Sequence, residues 1–279
     1  MTTGFAINTE GIFDDLPAST YHAAPGLSNS MLKNLEPTPA HLVAYLTGER
    51  EVTPAMVLGT LTHSLVLEPD KGLPRISIKP DDLRRNSKAF KAWEAEQNGN
   101  LIIGQDAFDS LLGMTASIAR HPFASKALRN GRTELSLFSN KVLEDGREPV
   151  LRKMRLDFAP LTNYLCDVKT CLDASEVEFG KTMLNMGYHR QAAWYLDIWN
   201  DLHPQDQREG FLFIAVEKSA PYAVACYFLE PEAISLGRSV NEKLARVYME
   251  CRDAQKWPAY SDGWKMIDVP KWALGRNEG

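Results

Sequence analysis

Cysteine is scarce, and what there is carries no pairing pattern. Cys166, Cys171, Cys226 and Cys251 form no C-x-x-C pair and no zinc-finger spacing, which argues against a disulfide framework and an iron–sulfur cluster. They are expected to be reduced packing residues. No apolar run approaches the roughly 20 residues needed to cross a bilayer, and the first residues hold neither a basic segment nor an apolar leader core. A cytoplasmic location, in a bacterial cell, is the expectation. Positive charge is also short, with 31 Lys and Arg against 36 Asp and Glu for a net charge of −5, so nothing global favours nucleic acid. A local positive lining would suffice for an enzyme that encloses DNA. Internal repeats, low-complexity tracts and Gly/Ser linkers are missing, and there is no His-rich cluster of the kind a small-phosphoester metallohydrolase would need.

What is present is ordinary for a globular chain: 279 residues, 44% hydrophobic and 24% charged, enough for one large domain. Residues 1 to 26 read as irregular, punctuated by Pro17, Pro25 and Gly26. Ser28 caps a short helix through Leu35, and Thr38-Pro39 opens another that stops at Gly48. Pro54 to Leu67 reads as an apolar helix with Met56, Val57, Leu61, Leu65 and Val66 buried and His63 alone among them. Gly59, one turn before it, is expected to admit a neighbouring backbone. Lys88 to Gln97 is helical, and Asp106 to Leu128 is a helix or a pair, broken at Gly113 and at His121-Pro122.

After Asn130-Gly131 the pattern changes. Thr133 to Asn140 alternates as a strand, Glu144-Asp145-Gly146 turns it into Val150 to Phe158, and a third strand follows after Thr162-Asn163. Glu134 in the first strand is better read as a cross-strand partner for Arg152 or Arg155 than as a site acid. Helices follow over Ala174 to Gly187 and Tyr188 to Asn200, then strands over Gly210 to Val216 and Ala223 to Leu229. Pro231 starts a long helix to about Lys256 with Ile234, Leu244, Val247, Tyr248 and Cys251 inward. Trp257, Tyr260, Trp264 and Trp272 mark a tail that either stacks unpaired bases or, as is commoner, packs on protein. The fold class is α/β or α+β: a mixed central sheet flanked by helices, one domain over 1–279, with 1–130 mainly helical and 131–279 holding the core and C-terminal helix.

Three charges break the alternation. Asp157 stands in the second strand, and Asp167 and Lys169 leave the third on one face, where ionised groups are rarely held without partners. Taken alone, Asp-x-Lys is more often a solvated edge or plain ion pair. The two acids, however, lie ten residues apart across a turn, the spacing of a hairpin that sets its strands side by side. Gln191 and Tyr195 follow one turn apart on a helix face. Together they suggest a divalent cation beside an amine. Between Lys71 and Lys91 seven basic residues, among them Arg84, Arg85 and Lys88, face two acids, giving either a phosphate-contacting segment or a solvated charged face.

Arg155-x-Asp157, Asp167-Val168-Lys169-Thr170 and Gln191-x-x-x-Tyr195 resemble the nuclease core of the PD-(D/E)XK superfamily, in particular its exodeoxyribonuclease VIII-like branch, related to lambda-type exonuclease and to the nuclease domains of bacterial recombination helicases. The likeness extends to Tyr21-His22-Ala23-Ala24-Pro25, to Gly59-Thr60-Leu61-Thr62-His63 and to Trp257-Pro258-Ala259-Tyr260. It implies Asp157, Asp167 and the main-chain carbonyl of Val168 as metal ligands, with His63 completing one coordination sphere. The metal is Mg2+, with Mn2+ as a substitute, as two ions about 3.5–4 Å apart. Lys169 then orients and activates the attacking water, Gln191 positions water or phosphate, and Tyr195 donates to a phosphate oxygen. Arg155 is structural or a phosphate contact. By the same resemblance the activity is degradation of one strand of linear duplex DNA, 5'→3', leaving a 3' single strand. A homo-oligomeric ring, trimer or tetramer, a single-strand annealing protein as partner, no membrane, and phage or prophage recombination are implied with it. Two alternatives stand beside this: the same core acting on other DNA ends or single strands, and a catalytically silent DNA-binding or assembly protein.

Overall fold

A computed structural model of the chain describes residues 9–48, 53–68, 75–141 and 148–269. The Glu144-Asp145-Gly146 turn, Lys71 and Trp272 lie outside them. In chain order the elements are β1 (Gly11–Phe13), α1 (Ala18–Ala23), β2 (Leu27–Ser28), α2 (Asn29–Leu35), α3 (Pro39–Thr47), α4 (Pro54–Leu67), β3 (Ile76–Lys79), α5 (Lys88–Glu96), β4 (Leu101–Gly104), α6 (Gln105–Arg120), α7 (Pro122–Ala127), β5 (Gly131–Lys141), β6 (Val150–Pro160), β7 (Tyr164–Cys171), α8 (Glu176–Met186), α9 (Tyr188–Leu202), β8 (Gly210–Glu217), β9 (Val224–Phe228) and α10 (Pro231–Ala254).

Seven strands form a mixed sheet in the order β1-β5-β6-β7-β8-β9, with β2 also on β6. Their pairings are antiparallel except β7 with β8 and β2 with β6. Because β5 occupies one edge of β6 from Val150 to Pro160, β7 and β2 must share the other. β7 meets β6 at one register position, Phe158 opposite Cys166, while β2 takes Arg152 and Lys153 farther down. The sheet is therefore parted between these two attachments. The site lies at that parting.

Both faces of the sheet are covered. On one, Leu165, Phe211, Phe213 and Ala215 pack with Phe179 of α8, Trp194, Leu196 and Ile198 of α9 and Ile234 and Met249 of α10. On the other, Phe158, Cys166, Val168, Leu212 and Ile214 pack with Leu67 of α4, Met114 and Ile118 of α6 and Ala124 of α7. Apolar residues on both faces explain why β7 and β8 read as continuous hydrophobic runs with the two charges standing out. Gly187, at φ +72, ends α8 and at once begins α9, a left-handed bend that an L side chain would strain.

Several expectations need correction. The stretch called irregular contains α1 and the short strand β1, which enters the central sheet, as does β2 directly after it. The basic segment contains β3, which pairs in parallel with β4 beyond it and forms a unit separate from the central sheet around α5. Gly113 does not break α6: a Cβ there would stand 2.2 Å from the Tyr222 ring, so the glycine serves close packing. Near Gly59 a Cβ would meet nothing closer than Thr170 Oγ1 at 3.9 Å, and no backbone approaches it. Met56 is exposed, being in the first turn of α4. The inward face of α10 also includes Gly237, Asn241, Ala245 and Met249. Of the tail, Trp257 packs near Tyr248 and Tyr260 near His41, whereas Trp264 faces solvent. The four cysteines are free thiols.

Candidate active site

Antiparallel register around Phe158 and Cys166 sets Asp157 directly opposite Asp167, one position further along. Asp167 is fully buried, and Lys169, two residues on along β7, brings its Nζ to 2.7 Å from Asp167 Oδ1. Gln191 of α9 donates to Asp167 Oδ2 at 2.5 Å. The Lys169 ammonium also sits 4.7 Å from the centre of the Tyr188 ring, which adds a cation–π contact. Tyr188 was not foreseen in this corner. Its signal in the sequence was its place three residues before Gln191 on the same helix.

From the opposite layer α4 inserts His63. Its Nε2 lies 2.6 Å from the Val168 carbonyl oxygen, and its Nδ1 lies 3.4 Å from Asp157 Oδ2. The Val168 N–H donates to the same Asp157 oxygen at 3.4 Å. The β5 register brings Glu134 opposite Asp157, between the Thr133–Phe158 and Leu135–Leu156 pairs, and its φ of +52 distorts the strand there. Like charges directly opposite destabilise a sheet unless a cation or a proton offsets them. Donor atoms of His63, Glu134 and Asp157 all lie within 4.8 Å of one another. Glu134 joins that cluster although its sequence context favours a cross-strand partner for arginine over a site acid.

That reading of Glu134 also has its geometry: Arg155 Nε donates to Glu134 Oε2 at 2.7 Å. Arg155 Nη1 donates to the Leu16 carbonyl and to Ser136 Oγ, which commits much of the guanidinium to protein. Tyr195 follows Gln191 by one turn, hydrogen-bonded to its side chain and half-buried beside Phe211. Arg84, Arg85 and Lys88 are exposed around the start of α5, between β3 and β4, and none of them belongs to the His63–Glu134–Asp157 cluster.

Electrostatics follow from this crowding. Burial, and then the neighbouring Asp167, push the Asp157 carboxyl up to about 7. Burial alone would lower Lys169, but Asp167 and Asp157 outweigh it and hold the amine above the usual lysine range. Burial drives the Tyr195 phenol well above its ordinary value, so it is a donor at neutral pH. At His63, one nitrogen faces a carbonyl and the other a carboxylate, so both sides of the ring meet acceptors. Oxygen-rich donors with one imidazole, converging on lone pairs with too few protons between them, fit a hard divalent cation and do not fit a thiolate-type zinc site.

Comparison with known proteins agrees with this architecture. A candidate exonuclease from Eubacterium rectale superposes with a TM-score of 0.63 at 14% identity, covering 95% of this chain and 100% of its own, which speaks to the fold. The structure of SSO0001, at TM-score 0.31 and 12% identity over 68% of this chain and 86% of its own, is too remote to bear on it. No curated protein matches the sequence. Residues 28–270 match the family described as "PDDEXK-like domain of unknown function (DUF3799)", and the chain belongs to that family, with the mixed sheet and flanking helices of the PD-(D/E)XK nuclease fold.

Proposed function

We propose that this chain is a metal-dependent exodeoxyribonuclease acting on the ends of linear duplex DNA, its residues 1–279 working as one catalytic unit. The observation that carries the reading is a buried corner holding Asp157, Asp167 and Lys169 together under His63 and Gln191. A phosphodiester is an anion, and attack by water adds charge to its oxygens, so the site must be cationic where the charge grows.

Asp157, Asp167, His63 and the Val168 carbonyl would hold the cation, and Glu134 adds a carboxylate to that set. Bound Mg2+ or Mn2+ supplies Lewis acidity and a more acidic water. Lys169, kept protonated by its two aspartates, presents N–H donors that orient the attacking water and balance its developing charge. Gln191, fixed on Asp167, holds that water or the scissile phosphate in place, and Tyr195 donates to a non-bridging oxygen. The new bond joins water oxygen to phosphorus, the bond to the 3' oxygen breaks, and a proton returns to that oxygen, leaving a 5'-phosphate.

The 5'→3' direction, the exposed 3' strand, a homo-oligomeric ring and an annealing partner in recombination belong to this proposal through the resemblance of the motifs. Arg84, Arg85 and Lys88 are its proposed phosphate contacts outside the catalytic corner. The test is incubation with Mg2+ of linear duplexes labelled at either end and of a closed circle. Mononucleotides released from the 5'-labelled end, an intact circle and complete arrest by chelator are expected. Retained DNA binding with no product would instead make the chain a binding protein.

A further inference from the structure

We propose a second nucleic-acid site: a stacking pocket for unpaired bases at the tip of the β6–β7 hairpin. It rests on the nuclease reading above and names the strand state that reaches the catalytic corner. The cavity there has a volume of about 540 Å³, and its walls include the rings of Phe123, Tyr164 and Phe228 with Leu161, Lys126 and Arg129. Large apolar groups are left in solvent here: Leu161 is 75% exposed, Phe228 51% and Phe123 43%. The rings meet at right angles, Tyr164 to Phe228 at 5.0 Å and Phe123 to Phe228 at 6.2 Å, so each keeps part of a face open.

Charge decides the occupant. No Asp or Glu lines the cavity, and neither Lys126 nor Arg129 forms an ion pair among the described residues. Aromatic faces give any base a stacking partner while two free cations meet the backbone phosphates, the combination that binds single strands without regard to sequence. A concave pocket of this size admits bases but not an intact double helix. A protein partner would be expected to bury the apolar groups without calling for two uncompensated cations.

Its position fits the same path. The strands leaving this tip carry Asp157 and Asp167, and Tyr164 stands three residues before Asp167, about 10 Å along β7. A strand frayed at a duplex end could rest its bases here while a phosphate lies at the catalytic corner.

The full chain in chelator, which prevents cleavage, would be titrated with a labelled oligo(dT), with an abasic oligomer of equal length and with a blunt duplex, reading anisotropy. Phe228→Ala and Phe123→Ala are expected to weaken oligo(dT) binding on the order of tenfold each. Wild type should bind the abasic oligomer about as weakly as these variants bind oligo(dT), and duplex binding should be unchanged. Lys126→Ala with Arg129→Ala should weaken both single-stranded ligands and lower their salt dependence. Both ring positions are exposed, so thermal melting should match wild type. Unaltered oligo(dT) affinity in the ring variants, equal losses for duplex and single strand, or equal wild-type affinity for oligo(dT) and abasic oligomer would overturn the proposal. Because cleavage is absent from these titrations, they stand apart from the end-labelled digestion: a chain that binds as described but never cleaves overturns the nuclease reading alone.

Discussion

Asp157 and Asp167 lie across from one another beside the one register position that joins β6 to β7. Past them the two strands part, and β2 resumes pairing with β6 at Arg152 and Lys153. Two facing carboxylates at such a break would repel without a cation; Lys169 supplies one, and donor atoms of His63, Glu134 and Asp157 lie close enough together to hold another.

Lys169→Met should lower the hydrolytic rate by about 10²–10⁴-fold, the range for a group acting on the attacking water. It should also destabilise the metal-free protein, because Asp167 is fully buried and loses the ammonium that balances it. Asp167→Ala should abolish hydrolysis as well. Rates from end-labelled duplex and denaturant midpoints measure both effects, and an unchanged rate in either variant would leave this corner a structural ion pair.

The metal-free protein should lose stability as pH rises toward neutrality. Asp157 ionises near 3.8 in an unfolded chain and at about 7 in the fold, so between those values the native state binds the extra proton. Its contribution is full below pH 3.8, declines through that window and is gone above about 7. Denaturation midpoints from pH 5 to 8 should fall with pH, Asp157→Asn should flatten the trend, and Mg2+ should reverse it while releasing a proton, detectable by titration calorimetry in buffers of different ionisation enthalpy.

Gly237→Ala should reach the site from the outside. A Cβ there would stand 2.3 Å from the His189 carbonyl, and Asn241 of the same helix donates to the Arg190 carbonyl at 2.8 Å. Forcing α10 off α9 should cost about 1–3 kcal/mol. It should also reduce turnover, since α9 carries Gln191 and Tyr188. Melting temperature and rate should fall together; loss of stability with full activity would show that α9 tolerates the displacement.

Much of this was legible from local chemistry. The bounds of α4 agree with the expectation, Pro54 to Leu67, because an N1 proline opening an apolar run is a strictly local signal. The strands holding Asp157, Asp167 and Lys169 showed because charges interrupt long apolar runs. β1, β3 and β4 escaped because three or four residues give period two nothing to repeat. Asn241 escaped because a buried polar group is visible only through its partner, the Arg190 carbonyl. The parting of β6 from β7, the insertion of β2 and the left-handed φ of Glu134 depend on chain segments more than a hundred residues apart or on tertiary strain, and no local pattern encodes them.

Arg84 and Lys88 are exposed and without ion pairs among the described residues, so changing both to Ala should leave melting unaltered. If they contact phosphates, the slope of log affinity against log salt should shrink by about two. An unchanged slope would remove the α5 region from the DNA path.

The most direct measurement is the anomalous difference map of a crystal soaked in Mn2+. A peak bound by Asp157 and Asp167, with His63 and the Val168 carbonyl as neighbours, is the expected result. A map empty at those carboxylates under saturating Mn2+, or a peak held by other residues, would contradict the account.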